Sequence, residues 1–164
     1  YVLYGSSTIL VLTTGNGVDM FVLDQTIGSF VLVEANLQIP TGNNMYSINE
    51  AYTAKFGDGV RAYLDWAHQN DYSSRYIGSM VADVHRTLLK GGVFLYPPTS
   101  DKLDGKLRLM YEANPMAMII EQAGGKAVAQ GNRILDIQPT GLHERTSVVL
   151  GSTDQVDLFL KHIT

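Results

Sequence analysis

The chain has 164 residues, of which 45% are hydrophobic and 17% are charged, a composition typical of a globular protein rather than a disordered or highly charged segment. Sixteen acidic and twelve basic side chains give a formal net charge of -4, so the chain as a whole does not attract nucleic acid or an anionic membrane. The sequence has no cysteine, which excludes disulfides, thiolate metal ligands and cysteine nucleophiles from these residues.

The sequence shows neither a membrane-spanning pattern nor a signal peptide. No stretch approaches the roughly 20 apolar residues that a spanning helix needs, and no basic region precedes an apolar core at the N-terminus. We therefore expect a cytoplasmic or plastid protein with no membrane or nucleic-acid partner. The chain begins at Tyr1 inside an apolar segment and without an initiator methionine, so we expect it to be part of a longer protein.

The first predicted elements are β-strands. Residues 7–34 alternate β-branched and apolar runs with turn residues, which predicts an antiparallel three-strand meander. The pair Asn16-Gly17 is favoured in a tight two-residue hairpin. The runs are apolar on both faces, so we expect at least part of this sheet to be covered on both sides.

Two helices are predicted next. Residues 57–69 and 78–92 carry apolar side chains at helical spacing, the first with Asp58 as its cap, the second beginning at Ser79 and ending at Gly91-Gly92. The apolar faces are Val60, Tyr63, Leu64 and Ala67 in the first helix, and Val81, Val84 and Leu88 in the second.

The second half of the chain alternates strands and helices. Residues 93–97 and 106–112 are strand-like, and residues 114–125 have helix signals at both ends, with Asn114 as a cap, Pro115 in the first turn and a Gly-Gly stop. Short strands at "KAVA" and "SVVLG" follow, and then a capping-box spacing begins a last helix at Ser152. This order predicts an α/β domain with a mixed β-sheet flanked by helices.

Several donor side chains suited to a phosphate lie at predicted element ends. Hydroxyl and amide donors combined with Lys and Arg supply directed hydrogen bonds and a compensating charge. The candidates are Asn49, Tyr52, Arg75, Tyr76, Tyr96, Lys106 and Arg108. Each of them taken alone also has an ordinary explanation, as core packing for a tyrosine or as a solvated surface charge for a lysine or arginine.

Glu112 has two interpretations. It lies near the positive end of the helix predicted from Asn114, where a carboxylate gains about 0.3–1 kcal/mol from the helix dipole. In the second interpretation Glu112 is an oxygen ligand of a metal at the predicted end of a strand, which is a common place for α/β sites. A single carboxylate holds magnesium poorly, so the second interpretation requires further ligands.

Four longer stretches together resemble class I fructose-1,6-bisphosphatases. They are "YSINEAY" (46–52), "SRYIGSMVADVHRTLLKGGVFLYP" (74–97), "DGKLRLMYEANPMAMIIEQAGGKA" (104–127) and "LDIQPTGLHER" (135–145). The resemblance implies a layered sugar-phosphatase-type domain, with residues 1–164 as the C-terminal, substrate-binding half and the N-terminal domain absent. It also implies Mg²⁺-dependent hydrolysis of the 1-phosphate of fructose 1,6-bisphosphate, giving fructose 6-phosphate, in gluconeogenesis or the Calvin cycle.

The resemblance assigns roles to individual residues. The implied 6-phosphate donors are Asn49, Tyr52, Tyr76 and Tyr96. Arg75 would reach the 6-phosphate of a neighbouring subunit in a dimer or tetramer, and Met80 would pack beside the sugar. Lys106 would contact sugar and phosphate, Arg108 would lie near the 1-phosphate, and Glu112 would be the metal ligand of this half. No catalytic residue is expected here, because the family's other acidic ligands lie in its N-terminal half.

The sequence departs from the family pattern at Ala51, where glycine is common, and at Ala113, where cysteine is common. Both replacements are small, so we expect tuning rather than loss of function. We expect the chain alone to be almost inactive. Two alternatives stay open: a non-catalytic sugar-phosphate-binding or regulatory module, and a phosphatase that acts on sedoheptulose 1,7-bisphosphate.

Overall fold

The first strands form a separate antiparallel sheet. In the computed structural model, which describes residues 1–163, its strands are β1 (Val2–Tyr4), β2 (Thr8–Leu12), β3 (Asp19–Asp24) and β4 (Ser29–Glu34), hydrogen-bonded in chain order. The predicted meander is therefore confirmed, and β1 adds a fourth strand. The prediction of a two-residue hairpin at Asn16-Gly17 is wrong, because Leu12 pairs with Asp19 and the loop spans residues 13–18.

The physical reason for the longer loop is the burial of Val18. This side chain is fully buried, and the loop is closed by a 2.6 Å hydrogen bond from Thr13 Oγ1 to the carbonyl of Gly17. The expected cover does not extend to β4, whose residues are all exposed. Within residues 1–163, the apolar side chains from Phe30 to Val33 keep 40–49% of their surface accessible.

The main sheet is mixed, as predicted. Its strands are β5 (Met45–Ser47), β6 (Ser73–Ser74), β7 (Val93–Tyr96), β9 (Lys126–Ala129), β10 (Asn132–Arg133) and β12 (Val148–Gly151), in the order β10-β9-β12-β7-β5-β6. β5 runs parallel to β6 and β7, and the other neighbours are antiparallel. A short antiparallel pair, β8 (Leu107–Arg108) with β11 (Arg145–Thr146), lies apart from this sheet.

Helices cover both faces of the main sheet. Helices α1 (Asp58–Gln69) and α4 (Thr153–Ile163) pack on one face, and α2 (Met80–Lys90) and α3 (Asn114–Gln122) pack on the other. The apolar faces predicted for α1 and α2 point into these cores, although Val81 is only partly buried. This arrangement confirms the α/β prediction.

The helix starts differ from the predicted caps. Asp58 is the first residue of α1 rather than its cap, which is Gly57. Ser152 does not form a capping box, because its buried hydroxyl accepts from the amide of Gly92 at 3.0 Å and donates to the carbonyl of Pro40 at 2.5 Å. Ser152 thereby gives a hydrogen-bond partner to two main-chain groups that would otherwise be buried without one.

The strand predicted over residues 106–112 is mostly wrong. Only Leu107–Arg108 is extended, and Leu109–Ala113 forms a π-helical turn that continues into α3. The amide of Asn114 donates to the carbonyl of Leu109, so Asn114 continues the helical path and is not a cap. Burial explains the turn, because it places the fully buried side chains of Leu109 and Ala113 in the same core as α3.

Candidate functional site

A pocket opens where β5 and β7 of the main sheet end. Nine residues line it: Ile48, Asn49, Tyr52, Phe56, Leu95, Tyr96, Pro97, Thr99 and Lys106. Four of the predicted phosphate donors, Asn49, Tyr52, Tyr96 and Lys106, are therefore neighbours in space. The apolar lining residues are buried, and they form a low-dielectric floor beneath these polar groups.

Asn49 is held in place by a short helical turn. Residues Glu50–Lys55 form a 3₁₀ turn two residues after the end of β5, and Asn49 Oδ1 accepts from the amide of Ala51 at 3.1 Å to cap it. Ala51, which replaces a glycine common in the family, does not have a positive φ, so its methyl group adds no backbone strain. The cap leaves the side-chain NH₂ of Asn49 available as a donor.

Glu50 links this turn to the strands behind it. Its carboxylate accepts from Tyr46 Oη at 2.7 Å and from Ser74 Oγ at 3.2 Å, and it lies 3.0 Å from His68 Nε2. Burial and the hydrogen bond to Glu50 raise the pKa of Tyr46 to about 12, so its hydroxyl stays protonated at neutral pH. This network connects β5, β6 and α1 to the turn that carries Asn49 and Tyr52.

Lys106 and Tyr52 form the charged part of the pocket. Lys106 Nζ lies 4.2 Å from the centroid of the Tyr52 ring, close enough for a cation–π interaction. Lys55 lies farther from the same ring, at 5.8 Å, and pairs with Asp101 at 3.0 Å. The ammonium of Lys106 is therefore a positively charged group that can form an ion pair with an anion in the pocket.

Tyr76 belongs to the same cluster, although it comes from the segment after β6. Its pKa is raised by burial and by the nearby Tyr96, Asp83 and Tyr52, while a hydrogen bond with the Asn49 side chain acts in the opposite direction. The pKa of Tyr96 is likewise raised by burial, with smaller effects from Tyr52 and Glu112. Both phenols are neutral at physiological pH and can donate hydrogen bonds.

Arg75 and Met80 are not among the residues that line the pocket. Arg75 is exposed, and its Nη1 donates to the carbonyl of Ser74 at 2.7 Å. Met80 begins α2 and packs its partly buried side chain against the core on that face. The sequence-based roles of these two residues stay predictions.

Glu112 and Arg108 form a compact pair at the π-helical turn. Glu112 Oε2 accepts from the main-chain amide of Arg108 at 2.6 Å, and Oε1 lies 3.7 Å from Arg108 Nη1. The carboxylate is partly buried and contributes to the raised pKa of Tyr96, so it lies near the pocket. Among residues 1–163 there is no group of three or more His, Cys, Asp or Glu side chains that could hold a metal ion. The described residues therefore do not by themselves make up a three-ligand metal site around Glu112.

Sequence patterns missed several residues of the site. The pocket floor, formed by Ile48, Phe56, Leu95 and Pro97, was not predicted, because a buried apolar residue has no sequence signal that separates a pocket from a core. The supporting carboxylate of Glu50 was also missed. Its position next to Asn49 in the quoted "SINEAY" stretch was the available signal.

Two family models match this chain. Residues 39–164 match the family model described as fructose-1-6-bisphosphatase, C-terminal domain, and residues 1–35 match the model described as fructose-1-6-bisphosphatase, N-terminal domain. The family models thus divide the chain just after β4. The interpretation of residues 1–164 as a single C-terminal domain stays a prediction.

Individual relatives match along nearly the whole chain. A protein named fructose-1,6-bisphosphatase class 1 from Pelodictyon phaeoclathratiforme is 56% identical over 164 residues, covering 96% of this chain and 49% of that protein. A second class 1 protein, from Salinibacter ruber, is 56% identical over 162 residues, covering 95% of this chain and 46% of its own length. The chain therefore spans about half the length of these curated relatives.

A solved fructose-1,6-bisphosphatase structure also matches along nearly the whole chain. The holo form of Leishmania major fructose-1,6-bisphosphatase superposes with a TM-score of 0.97 at 51% identity, covering 99% of this chain and 52% of that chain. At this TM-score both sheets and the helices around them have counterparts in that structure.

Proposed function

This chain belongs to the class 1 fructose-1,6-bisphosphatase family, and we propose that the protein containing it hydrolyses the 1-phosphate of fructose 1,6-bisphosphate. The observation that carries this proposal is the convergence of Asn49, Tyr52, Tyr96 and Lys106 in one pocket, with Tyr76 against them. These groups come from four segments of the chain, near residues 50, 76, 96 and 106, and each can donate a hydrogen bond or a charge to an anion.

The pocket suits the 6-phosphate of the sugar. A phosphate accepts several hydrogen bonds at once, and neutral phenol and amide donors satisfy its oxygens, while a nearby ammonium compensates part of its charge. We assign Asn49, Tyr52, Tyr76 and Tyr96 as these donors and Lys106 as the cation that contacts sugar and phosphate. The apolar floor strengthens the interactions by keeping the local dielectric low.

The remaining predicted roles belong to the same proposal. Met80 would pack beside the sugar, and Arg108 would lie on the 1-phosphate side. Arg75 would act in a homo-oligomer, reaching the 6-phosphate site of a second subunit, and its exposed position after β6 is compatible with that role. A dimer or tetramer, a place in gluconeogenesis or the Calvin cycle, and a cytoplasmic or plastid location remain part of the proposal. Among residues 1–163, no helix is long and apolar enough to cross a membrane.

Glu112 is proposed as a ligand of Mg²⁺. A carboxylate oxygen is a suitable donor for this hard cation, but one carboxylate does not make a site. Regions that this chain does not share with its longer relatives would have to supply the other ligands. When bound, the metal would stabilise negative charge that develops at the 1-phosphate. Glu112 itself is held by the amide of Arg108, so its carboxylate is already oriented.

The proposal is tested on the full-length protein by measuring phosphate release. The substrates are fructose 1,6-bisphosphate, sedoheptulose 1,7-bisphosphate and fructose 6-phosphate, with added Mg²⁺. We expect release from fructose 1,6-bisphosphate with the highest kcat/KM. A higher value for the sedoheptulose substrate would favour the alternative phosphatase, and no release from any substrate, together with retained sugar-phosphate binding, would favour a binding module.

A pair of lysine variants tests whether this pocket is the one used. Lys106→Met keeps an unbranched side chain one atom shorter than lysine but removes the charge nearest the Tyr52 ring. We expect KM for the bisphosphate to rise at least about tenfold. Lys55→Met is the matched control, because Lys55 lies farther from the same ring and is exposed. Equal effects of the two variants would contradict the assignment of Lys106.

A further inference from the structure

A fully buried carboxylate lies behind the segment that carries Arg75 and Tyr76. Asp83 is on the first turns of α2 and has no accessible surface. Its Oδ1 accepts from the amide of Ile77 at 2.9 Å, and its Oδ2 accepts from the amide of Gly78 at 3.0 Å. Two consecutive main-chain groups of the exposed segment are therefore bound by one side chain.

The same carboxylate is linked to the main sheet and to a cation. Ser47 Oγ, at the end of β5, donates to Asp83 Oδ1 at 3.0 Å, and Arg86 Nη1 lies 2.9 Å from the same oxygen. Arg86 also donates from Nη2 to the carbonyl of Arg75 at 2.7 Å. Two side chains of α2 thus bind the segment: Asp83 accepts from its amides at residues 77 and 78, and Arg86 donates to its carbonyl at residue 75.

These contacts matter because the segment has few other constraints. Residues 75–79 are exposed and lie between β6 and α2 outside any helix or strand. Hydrogen bonds to an ionised carboxylate are roughly twice as strong as neutral ones. The left-handed backbone of Gly78, with φ of +87°, brings its amide round to the carboxylate, a conformation that glycine adopts readily.

We propose that Asp83 is a positioning residue for the phosphate-binding pocket, holding the 75–78 segment so that the Tyr76 hydroxyl meets the other donors. It acts through Tyr76 and does not touch the sugar phosphate itself. This inference rests on the proposed function, since it assigns Tyr76 to phosphate binding. Its physical basis is preorganisation: a donor that is already in place loses less entropy when the ligand binds.

The test compares Asp83→Asn with the unchanged full-length protein. Asparagine has one carbonyl oxygen and cannot accept from both amides, from Ser47 and from Arg86 as the carboxylate does. We expect the Kd of fructose 6-phosphate, measured by calorimetry, to rise about tenfold, with kcat for the bisphosphate within about threefold of the unchanged protein. Asp65→Asn is the control, because Asp65 is an exposed carboxylate on α1, and it should leave both values unchanged.

A double-mutant cycle separates positioning from a general loss of stability. If Asp83 acts through Tyr76, the Asp83→Asn change should weaken binding much less in a Tyr76→Phe background than in the unchanged protein. Equal effects in both backgrounds would overturn the proposal. If Asp83→Asn does not fold, Ser47→Ala, which removes one of the carboxylate's donors, takes its place, and an unchanged Kd in that variant would overturn the proposal as well.

The outcomes also distinguish this inference from the proposed function. If the unchanged protein fails to bind fructose 6-phosphate, the proposed function is wrong and the positioning role goes with it. If the unchanged protein binds the sugar phosphate and Asp83→Asn binds it equally well, only the positioning role is wrong.

Discussion

Replacing Tyr76 with phenylalanine removes one hydroxyl from the pocket and leaves the ring in place. A hydrogen bond to a charged group contributes about 1.5–3 kcal/mol, which corresponds to about a 10- to 150-fold change in affinity. In the free protein the Tyr76 oxygen accepts from the Asn49 side chain, and because Tyr76 is 37% exposed its own proton can be donated to water. Part of the hydrogen-bond energy is therefore spent on replacing that water. The expected loss therefore lies near the lower end, at about tenfold.

The fold should tolerate this change. The Tyr76 side chain keeps 37% of its surface accessible, and the Asn49 amide that loses its partner can bind water. We expect the free energy of unfolding to change by no more than about 0.5 kcal/mol. A loss of binding free energy greater than about 0.5 kcal/mol would then report on the pocket and not on partial unfolding.

Calorimetry with fructose 6-phosphate and steady-state kinetics with the bisphosphate measure the effect. Since the 6-phosphate is remote from the reacting 1-phosphate, we expect KM to rise and kcat to change little. Tyr111→Phe is the matched control, because Tyr111 is 47% exposed and bonds His143 at 2.9 Å outside the pocket lining. A Kd for Tyr76→Phe within twofold of the unchanged protein would refute the role of this hydroxyl.

Three further outcomes follow from the described contacts. Glu112→Gln should lower kcat and raise the Mg²⁺ concentration needed for half-maximal activity, with the Kd of fructose 6-phosphate nearly unchanged; normal Mg²⁺ dependence would remove Glu112 from the metal site. The free energy of unfolding should fall as pH rises from 10 to about 12, because Tyr46 loses its proton above pH 10 in the unfolded chain but only near 12 in the fold. Urea titrations in this pH range measure the change, and a free energy of unfolding that does not vary with pH would contradict it. Leu150→Ala, in the fully buried strand β12, should lower the free energy of unfolding by about 2–5 kcal/mol. Leu103→Ala, at a side chain that is 73% exposed, should change it by no more than about 0.5 kcal/mol in the same titrations. Similar losses in the two variants would contradict the assigned core.

Local patterns predicted the regular helices well. In α1 the residues at helical spacing, from Val60 to Ala67, are the residues that the structure buries. Amphipathic spacing is a property of the segment itself, so it predicts a helix without knowledge of the rest of the fold. The same holds for the stop of α3, where Gly124 follows the helix with a φ of +81°.

Tertiary contacts decided the elements that were mispredicted. The run from Lys106 to Glu112 is apolar enough for a strand, but packing of Leu109 and Ala113 turns it into a π-helical turn. The Asn16-Gly17 pair favours a tight hairpin, yet burial of Val18 lengthens the loop. In both cases a buried side chain outside the local pattern fixed the backbone path.

The site shows the same division. The proposed phosphate donors were selected in the sequence by their residue types and positions, and the family resemblance gave each of them a role. The supports behind them were not, since Asp83 reaches Ser47 across 36 positions of the chain and Glu50 meets His68 across 18. Contacts over such separations are set by the pairing of β5 with its neighbours, which periodicity alone does not reveal.

The pocket draws its donors from segments near residues 50, 76, 96 and 106, so no single supersecondary unit contains it. A ligand that bridges these segments binds the folded chain and has no matching site in the unfolded one. By mass action, a sugar phosphate at 100 times its Kd would add about 2.7 kcal/mol to the stability of the fold. Thermal-shift screening of phosphorylated sugars would therefore rank ligands by affinity even for a form of the protein that has no turnover.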